Sequence, residues 1–134
     1  MKSRLKKIER LHYITHPVSA YTPAEQTRLV TESGGKWIQF RMKQADPYIF
    51  KEQAKQALHA ACESGATFII NDDVLTAKML DADGVHLGKE DLNPLEARKL
   101  LGDEKIIGCT ANTLADILYL QTLPIDYIGL GPFR

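Results

Sequence analysis

The hydrophobic pattern of the chain falls into six short strand-like stretches separated by five helical ones. The clearest strand signal follows Gly34-Gly35, where Lys36-Trp37-Ile38-Gln39-Phe40-Arg41-Met42-Lys43 alternates residue by residue. Successive side chains of a strand point to opposite faces. Ile38, Phe40 and Met42 therefore share an apolar face suited to lie under helices, and Trp37, Gln39, Arg41 and Lys43 share the other. Leu11-His12-Tyr13-Ile14-Thr15 is a short apolar strand candidate before it. Thr67-Phe68-Ile69-Ile70 is continuously apolar, as expected of a strand covered on both faces. Asp83 to Gly88, Lys105 to Cys109 and Asp126 to Leu130 complete the set.

The intervening stretches carry helix signals. Thr22-Pro23-Ala24-Glu25 combines an N-cap, a first-turn proline and a capping-box glutamate, so a helix should run from there to about Ser33 and end in a left-handed glycine at Gly34 or Gly35. Asp46-Pro47 opens a second helix, with Phe50, Ala54, Ala57, Leu58 and Ala61 on one stripe, and Gly65 stops it. Shorter helices are expected over Val74–Leu80, from Asn93-Pro94 to Leu101, and from Thr113 to about Gln121.

Strands and helices alternating in units of roughly 20 to 25 residues call for right-handed βαβ connections and a parallel sheet. An open doubly wound sheet and a (βα)8 barrel both satisfy that rhythm. No glycine-rich phosphate loop follows the first strand, which disfavours the dinucleotide-binding open sheet. Polar groups recur instead beyond successive strands: Arg41 and Lys43, then Asn71 and Asp72, then Asp91, then Thr110. Functional groups ringed at the C-terminal ends of consecutive strands are how barrel sites are built. The fold class expected is therefore α/β, a (βα)8 TIM barrel here truncated to about six strands and five helices. Residues 1–134 read as one barrel domain, incomplete at its C-terminal end, whose two uncovered edges favour homo-oligomers.

Composition narrows the function. Lys plus Arg and Asp plus Glu both number 17, leaving no net charge. Bulk electrostatics thus supports neither nucleic-acid nor anionic-membrane binding. No apolar run approaches the ~20 residues that cross a bilayer. The basic start, Met1 to Arg10, lacks the apolar core of a secretory signal. Cys62 and Cys109 have no metal-ligand spacing, and a reducing cytoplasmic setting is expected.

Two cations turned toward the interior of a covered strand need an anion, because an unpaired buried charge is costly, whereas on an exposed edge strand the same Arg and Lys would simply be solvated. A planar Arg fork beside a mobile Lys suits a diphosphate. Two carboxylates, Asp72 and Asp91, with diphosphate oxygens make an octahedral Mg²⁺ site. Each group also has a bland reading. Asn71-Asp72-Asp73 reads equally as a helix cap, Asp91 as a polar loop residue, and Thr110 as a strand-end hydroxyl bonded to backbone. His86, facing inward with Gly84 and Gly88, reads as a structural core histidine.

Five segments, in order from Leu11 onward, resemble the thiamine phosphate synthase family. They are Gln39-Phe40-Arg41-Met42-Lys43, Phe68-Ile69-Ile70-Asn71-Asp72, the stretch from Asp81 to Asp91, Ile106 to Thr113, and Asp126 to Pro132. The resemblance implies a (βα)8 barrel that joins a pyrimidine diphosphate to a thiazole phosphate, releases pyrophosphate and depends on Mg²⁺. By position it implies that Gln39, Arg41 and Lys43, helped by Asn71, bind the pyrimidine diphosphate, and that Asp72 and Asp91 bind Mg²⁺. Thr110 stands where the family usually has Ser and would contact pyrophosphate; Arg41, Lys43 and Thr110 would be the catalytic groups. Asn112 stands where the family has His.

In the family, Gly-Pro leads into a Thr-rich loop bearing a Lys and two further strands, whereas this sequence stops at Phe133-Arg134. The resemblance therefore implies a shortened synthase, inactive by itself. Two rival readings share the fold. A thiazole tautomerase-like paralogue tends to lack the Glu-Asp pair seen here as Glu90-Asp91 and would use a His at position 112. The other is a non-catalytic half-barrel whose rim only holds anions.

Overall fold

The computed structural model describes residues 8–18 and 20–132. The basic start up to Lys7 and the Phe133-Arg134 end lie outside the described residues. Six strands run in one parallel sheet, ordered as in the sequence: β1 (Tyr13–Ile14), β2 (Trp37–Phe40), β3 (Thr67–Asn71), β4 (Gly84–Leu87), β5 (Ile106–Ala111) and β6 (Tyr127–Leu130). Between them lie α1 (Pro23–Glu32), α2 (Pro47–Ser64), α3 (Val74–Leu80), α4 (Pro94–Leu101) and α5 (Leu114–Leu120).

The helix signals act as the sequence implies. Thr22 and Glu25 form a reciprocal capping box, Asp46 accepts the Tyr48 and Ile49 amides, and Asn93 accepts that of Leu95. Gly34 and Gly65 have positive φ, +102° and +72°, as the ends of α1 and α2 require.

Alternation sorts the strand residues onto two faces. Ile38, Phe40, Phe68, Ile70, Val85, Leu87, Ile107 and Cys109 join Ala54, Ala57, Ala61, Ala77 and Ala97 of the helices in one continuous core. Small alanines on the helices let them approach large residues on the strands. Trp37, Ile69 and Ile106 pack on the opposite face, with Tyr127 against them. In a flat sheet β2 and β6, four positions apart, would be separated by about 19 Å. The Trp37 and Tyr127 ring centroids are nevertheless 5.1 Å apart. The sheet is therefore strongly curled, with helices outside and this second cluster within its concave face: a half-barrel.

Two glycines permit the curl. A Cβ on Gly108 would lie 1.9 Å from Tyr127 Cζ, and one on Gly84 would lie 2.0 Å from the Ile106 carbonyl oxygen.

Buried charge outside the site is structural. Arg98, on α4, donates to the carbonyls of Gly102, Lys105 and Pro124 and to Asp126 Oδ2 at 3.0 Å, and Asp126 in turn accepts the Ile107 amide. No described helix is long and apolar enough to cross a membrane.

Candidate active site

Strand β2 ends at Phe40, three residues before the alternating run does. The reason is a side chain from beyond the neighbouring strand. Thr15 Oγ1, just past β1, accepts the Arg41 amide at 3.0 Å and donates to the Arg41 carbonyl at 3.4 Å, replacing the ladder there. The chain turns at Gln44, whose φ is +56°. Met42 still packs on the helix-side core while Arg41 and Lys43 are exposed at the rim, so the alternation outlasts the strand.

Strand β3 ends one residue before Asp72. The Asp72 amide donates to the His86 carbonyl at 2.8 Å, and the residue has φ +74°, a left-handed conformation that Asp tolerates better than most. Capping of α3 falls to Asp73, which accepts both the Thr76 amide and hydroxyl. The cap reading of this triplet thus holds for Asp73, while the Asp72 side chain pairs with Lys43 and lies near enough to Asp91 to be shifted by it.

Asp91 closes the turn beyond β4. Its Oδ2 accepts the Gly88 amide at 2.7 Å, and its own amide donates to the Gly88 carbonyl. Burial, reinforced by the bond to Asp72, pushes the Asp91 carboxyl up to about 6. Burial also pulls Asp72 upward, but its bonds from Asp91 and Lys43 and the charges of Lys43 and Arg41 outweigh this and hold it below the usual range. Lys43, Asp72 and Asp91 are therefore one contiguous cluster, and Arg41 stands close enough to act on it.

Just inside the rim lies a neutral polar layer. His86 Nε2 meets Thr110 Oγ1 at 2.8 Å and its Nδ1 meets Tyr127 Oη at 2.7 Å. His12 stacks on Trp37 with centroids 3.6 Å apart and stands 3.4 Å from the Gln39 amide nitrogen. Burial lowers both histidines to about 4 and raises the Tyr127 phenol. Gln39 and Asn71 are buried in this layer, and Asn71 is in register with His86.

The structure thus brings Arg41, Lys43, Asp72 and Asp91 together at one rim. Thr110, on the next strand, lines a cavity of about 290 Å³ together with Asp91. Thr110 belongs to β5 rather than to the loop after it, paired in register with Gly129. Asn112 is turned aside, donating to the Pro132 carbonyl.

Sequence reasoning missed His12 and Tyr127. His12 precedes a strand of only two residues, and the signal for Tyr127 was its alternation with Gly129, which leaves room for His86. Lys89 was also missed: its Nζ lies 2.6 Å from Asp116 on α5.

A family model described as thiamine monophosphate synthase matches residues 11–134. The chain is 44% identical over 124 residues to the thiamine-phosphate synthase of Bacteroides fragilis, covering 92% of this chain and 61% of that protein. With the thiamine-phosphate synthase of Phocaeicola vulgatus the identity is 45% over 129 residues, covering 96% and 62%. A solved thiamine phosphate pyrophosphorylase from Pyrococcus furiosus superposes with a TM-score of 0.82 at 31% identity, covering 96% of this chain and 62% of that one. The chain thus spans about three-fifths of the length of these relatives.

Proposed function

The chain belongs to the thiamine monophosphate synthase family, and from that premise we propose that the protein carrying it joins a pyrimidine diphosphate to a thiazole phosphate, giving thiamine phosphate and pyrophosphate. What supports this reading is the cluster of Lys43, Asp72 and Asp91, with Arg41 acting on it and Thr110 sharing a cavity with Asp91, drawn from the ends of four consecutive strands. The curl of the sheet and its sequential strand order support closure of the complete protein as a (βα)8 barrel.

Chemically, the demand is for charge. As the carbon–oxygen bond to the diphosphate breaks, negative charge grows on the departing group, and cations already in place stabilise that state more than the ground state. Arg41 and Lys43 fill this role, and Thr110 offers its hydroxyl to the same group. Gln39 and Asn71, held below the rim, orient the pyrimidine end. The electron-rich pyrimidine methyl cation left behind is attacked by the thiazole nitrogen, forming the carbon–nitrogen bond. No protein nucleophile is needed.

Asp72 and Asp91 fit Mg²⁺. They are two oxygen donors at one rim, near enough that each shifts the other's carboxyl. Mg²⁺ keeps several waters and takes its remaining oxygens from substrate phosphates, so two protein carboxylates would suffice to hold it. When bound, Mg²⁺ supplies neutralisation of the leaving diphosphate. The exposed free thiol of Cys62 suits a reducing compartment, and we place the protein in the cytoplasm.

The test is direct: the full-length protein, given both substrates and Mg²⁺, forms thiamine phosphate and pyrophosphate in equal amounts. A tautomerase or a mere anion holder would form neither.

A further inference from the structure

The turn that presents Asp91 and the strand end that presents Thr110 are joined by one carboxylate oxygen. Asp116 Oδ2, on the first turn of α5, accepts the Asn112 amide at 2.8 Å, the Thr113 amide at 3.1 Å and Lys89 Nζ at 2.6 Å. Lys89 sits within the Gly88–Asp91 turn, two residues before Asp91. Asn112 and Thr113 immediately follow the end of β5, two and three residues after Thr110. The two rims are adjacent, because Leu87 of β4 is in register with Cys109 of β5. Lys89, Asp91, Thr110 and Asp116 also line the same cavity.

We propose that Lys89 and Asp116 are positioning residues: their ion pair straps the β4 turn to the start of α5 and so fixes the Asp91 carboxylate against the Thr110 hydroxyl for Mg²⁺–diphosphate. This inference rests on the metal role proposed above for Asp91. The capping half of the arrangement is ordinary, since Asp116 and Thr113 form a capping box within α5. Lys89 contributes nothing to that cap. Its side chain is 45% exposed, and exposed ion pairs contribute little to global stability. What the pair does is geometric: without it, the turn bearing Asp91 keeps its own Gly88 bonds but loses its tie to the neighbouring rim.

The experiment is calorimetric titration of the full-length protein with inorganic pyrophosphate, with and without Mg²⁺, for wild type, Lys89→Met, Lys89→Arg, Asp116→Asn, the Lys89→Met/Asp116→Asn double variant and Asp91→Asn. With Mg²⁺, Lys89→Met should weaken binding about two- to fivefold, the scale of an exposed pair. Lys89→Arg should restore it, and the double variant should bind no worse than the weaker single variant. Without Mg²⁺, Lys89→Met should bind as wild type does, whereas a lysine that itself touched pyrophosphate would lose affinity in both conditions. Unchanged Mg²⁺-dependent binding in Lys89→Met, additive losses in the double variant, or equal loss without Mg²⁺ would overturn the strap. If Asp91→Asn also binds normally, it is the metal role that has failed, and the strap falls with it.

Discussion

Asp72 and Asp91, presented beyond neighbouring strands, lie close enough to shift each other's carboxyls in opposite directions, Asp72 downward and Asp91 upward. Asp91 is raised to about 6 by burial and by its partner. Near neutral pH the pair is mostly ionised and self-repelling, relieved in part by Lys43. Such strain is a feature of sites built to receive a cation.

Asp91→Asn should therefore leave the metal-free protein as stable as wild type or up to about 1 kcal/mol more stable. It should also abolish the stabilisation that Mg²⁺ with pyrophosphate gives wild type. Urea unfolding with and without both ligands measures the two effects together. A destabilised variant that still gains from Mg²⁺ would show Asp91 to be structural.

The two inward histidines set an acid limit. Both are depressed from 6.5 to about 4 in the folded protein, chiefly by burial. The unfolded chain takes up protons below 6.5 while the folded one does not. Stability contributed by neutral His12 and His86 is thus complete above pH 6.5 and is lost as pH falls toward 4. Asp91, with its raised value, works in the opposite sense over part of that window. Unfolding free energies are best followed from pH 7 to 4 in the Asp91→Asn background, where they should fall steadily. His86→Gln in that background should flatten the profile, and an unchanged slope would rule His86 out as its source.

Glycines under the curl differ in what they protect. Gly108→Ala puts a methyl against the tip of the Tyr127 ring, which can swing away, at a cost of about 1–3 kcal/mol. The variant should fold but lose the Tyr127–His86 hydrogen bond, visible as a shift of the His86 ring resonances. Gly84→Ala meets the Ile106 carbonyl, which is backbone and cannot swing. That variant should lose about 3 kcal/mol or more, or fail to fold, by thermal melting.

Much of this was legible in the sequence because it depended on period and on short-range caps. The face swap between Phe40 and Gln39, the Pro-initiated helices and the glycine stops are local, and with the βαβ rule they gave a parallel sheet, while the strand order needed the recurrence of polar groups beyond successive strands. Arg41 and Lys43 lie beyond the end of β2 and are exposed at the rim rather than carried on a covered strand, because the Thr15 hydroxyl, just past β1, takes over the Arg41 backbone. What could not be read was whatever joins distant segments. The Tyr127–His86–Thr110 chain and the Lys89–Asp116 strap each bring together side chains from different βα units. No pattern within a single element encodes them. His86 shows the limit well: its inward face was evident, but its two hydrogen-bond partners lie 24 and 41 residues away.

The central claim is that the rim cations stabilise a departing diphosphate, and Arg41→Ala in the full-length protein tests it most directly. Formation of thiamine phosphate from the pyrimidine diphosphate and the thiazole phosphate is measured at saturating Mg²⁺, alongside the melting temperature. Losing one preorganised donor to developing charge costs roughly 2–4 kcal/mol, about 10²–10³ in rate. The account predicts a loss of that size with the melting temperature unchanged, because Arg41 is exposed and its backbone alone is tied to Thr15. Turnover by Arg41→Ala equal to that of wild type, or a wild-type protein that forms no thiamine phosphate, would contradict it.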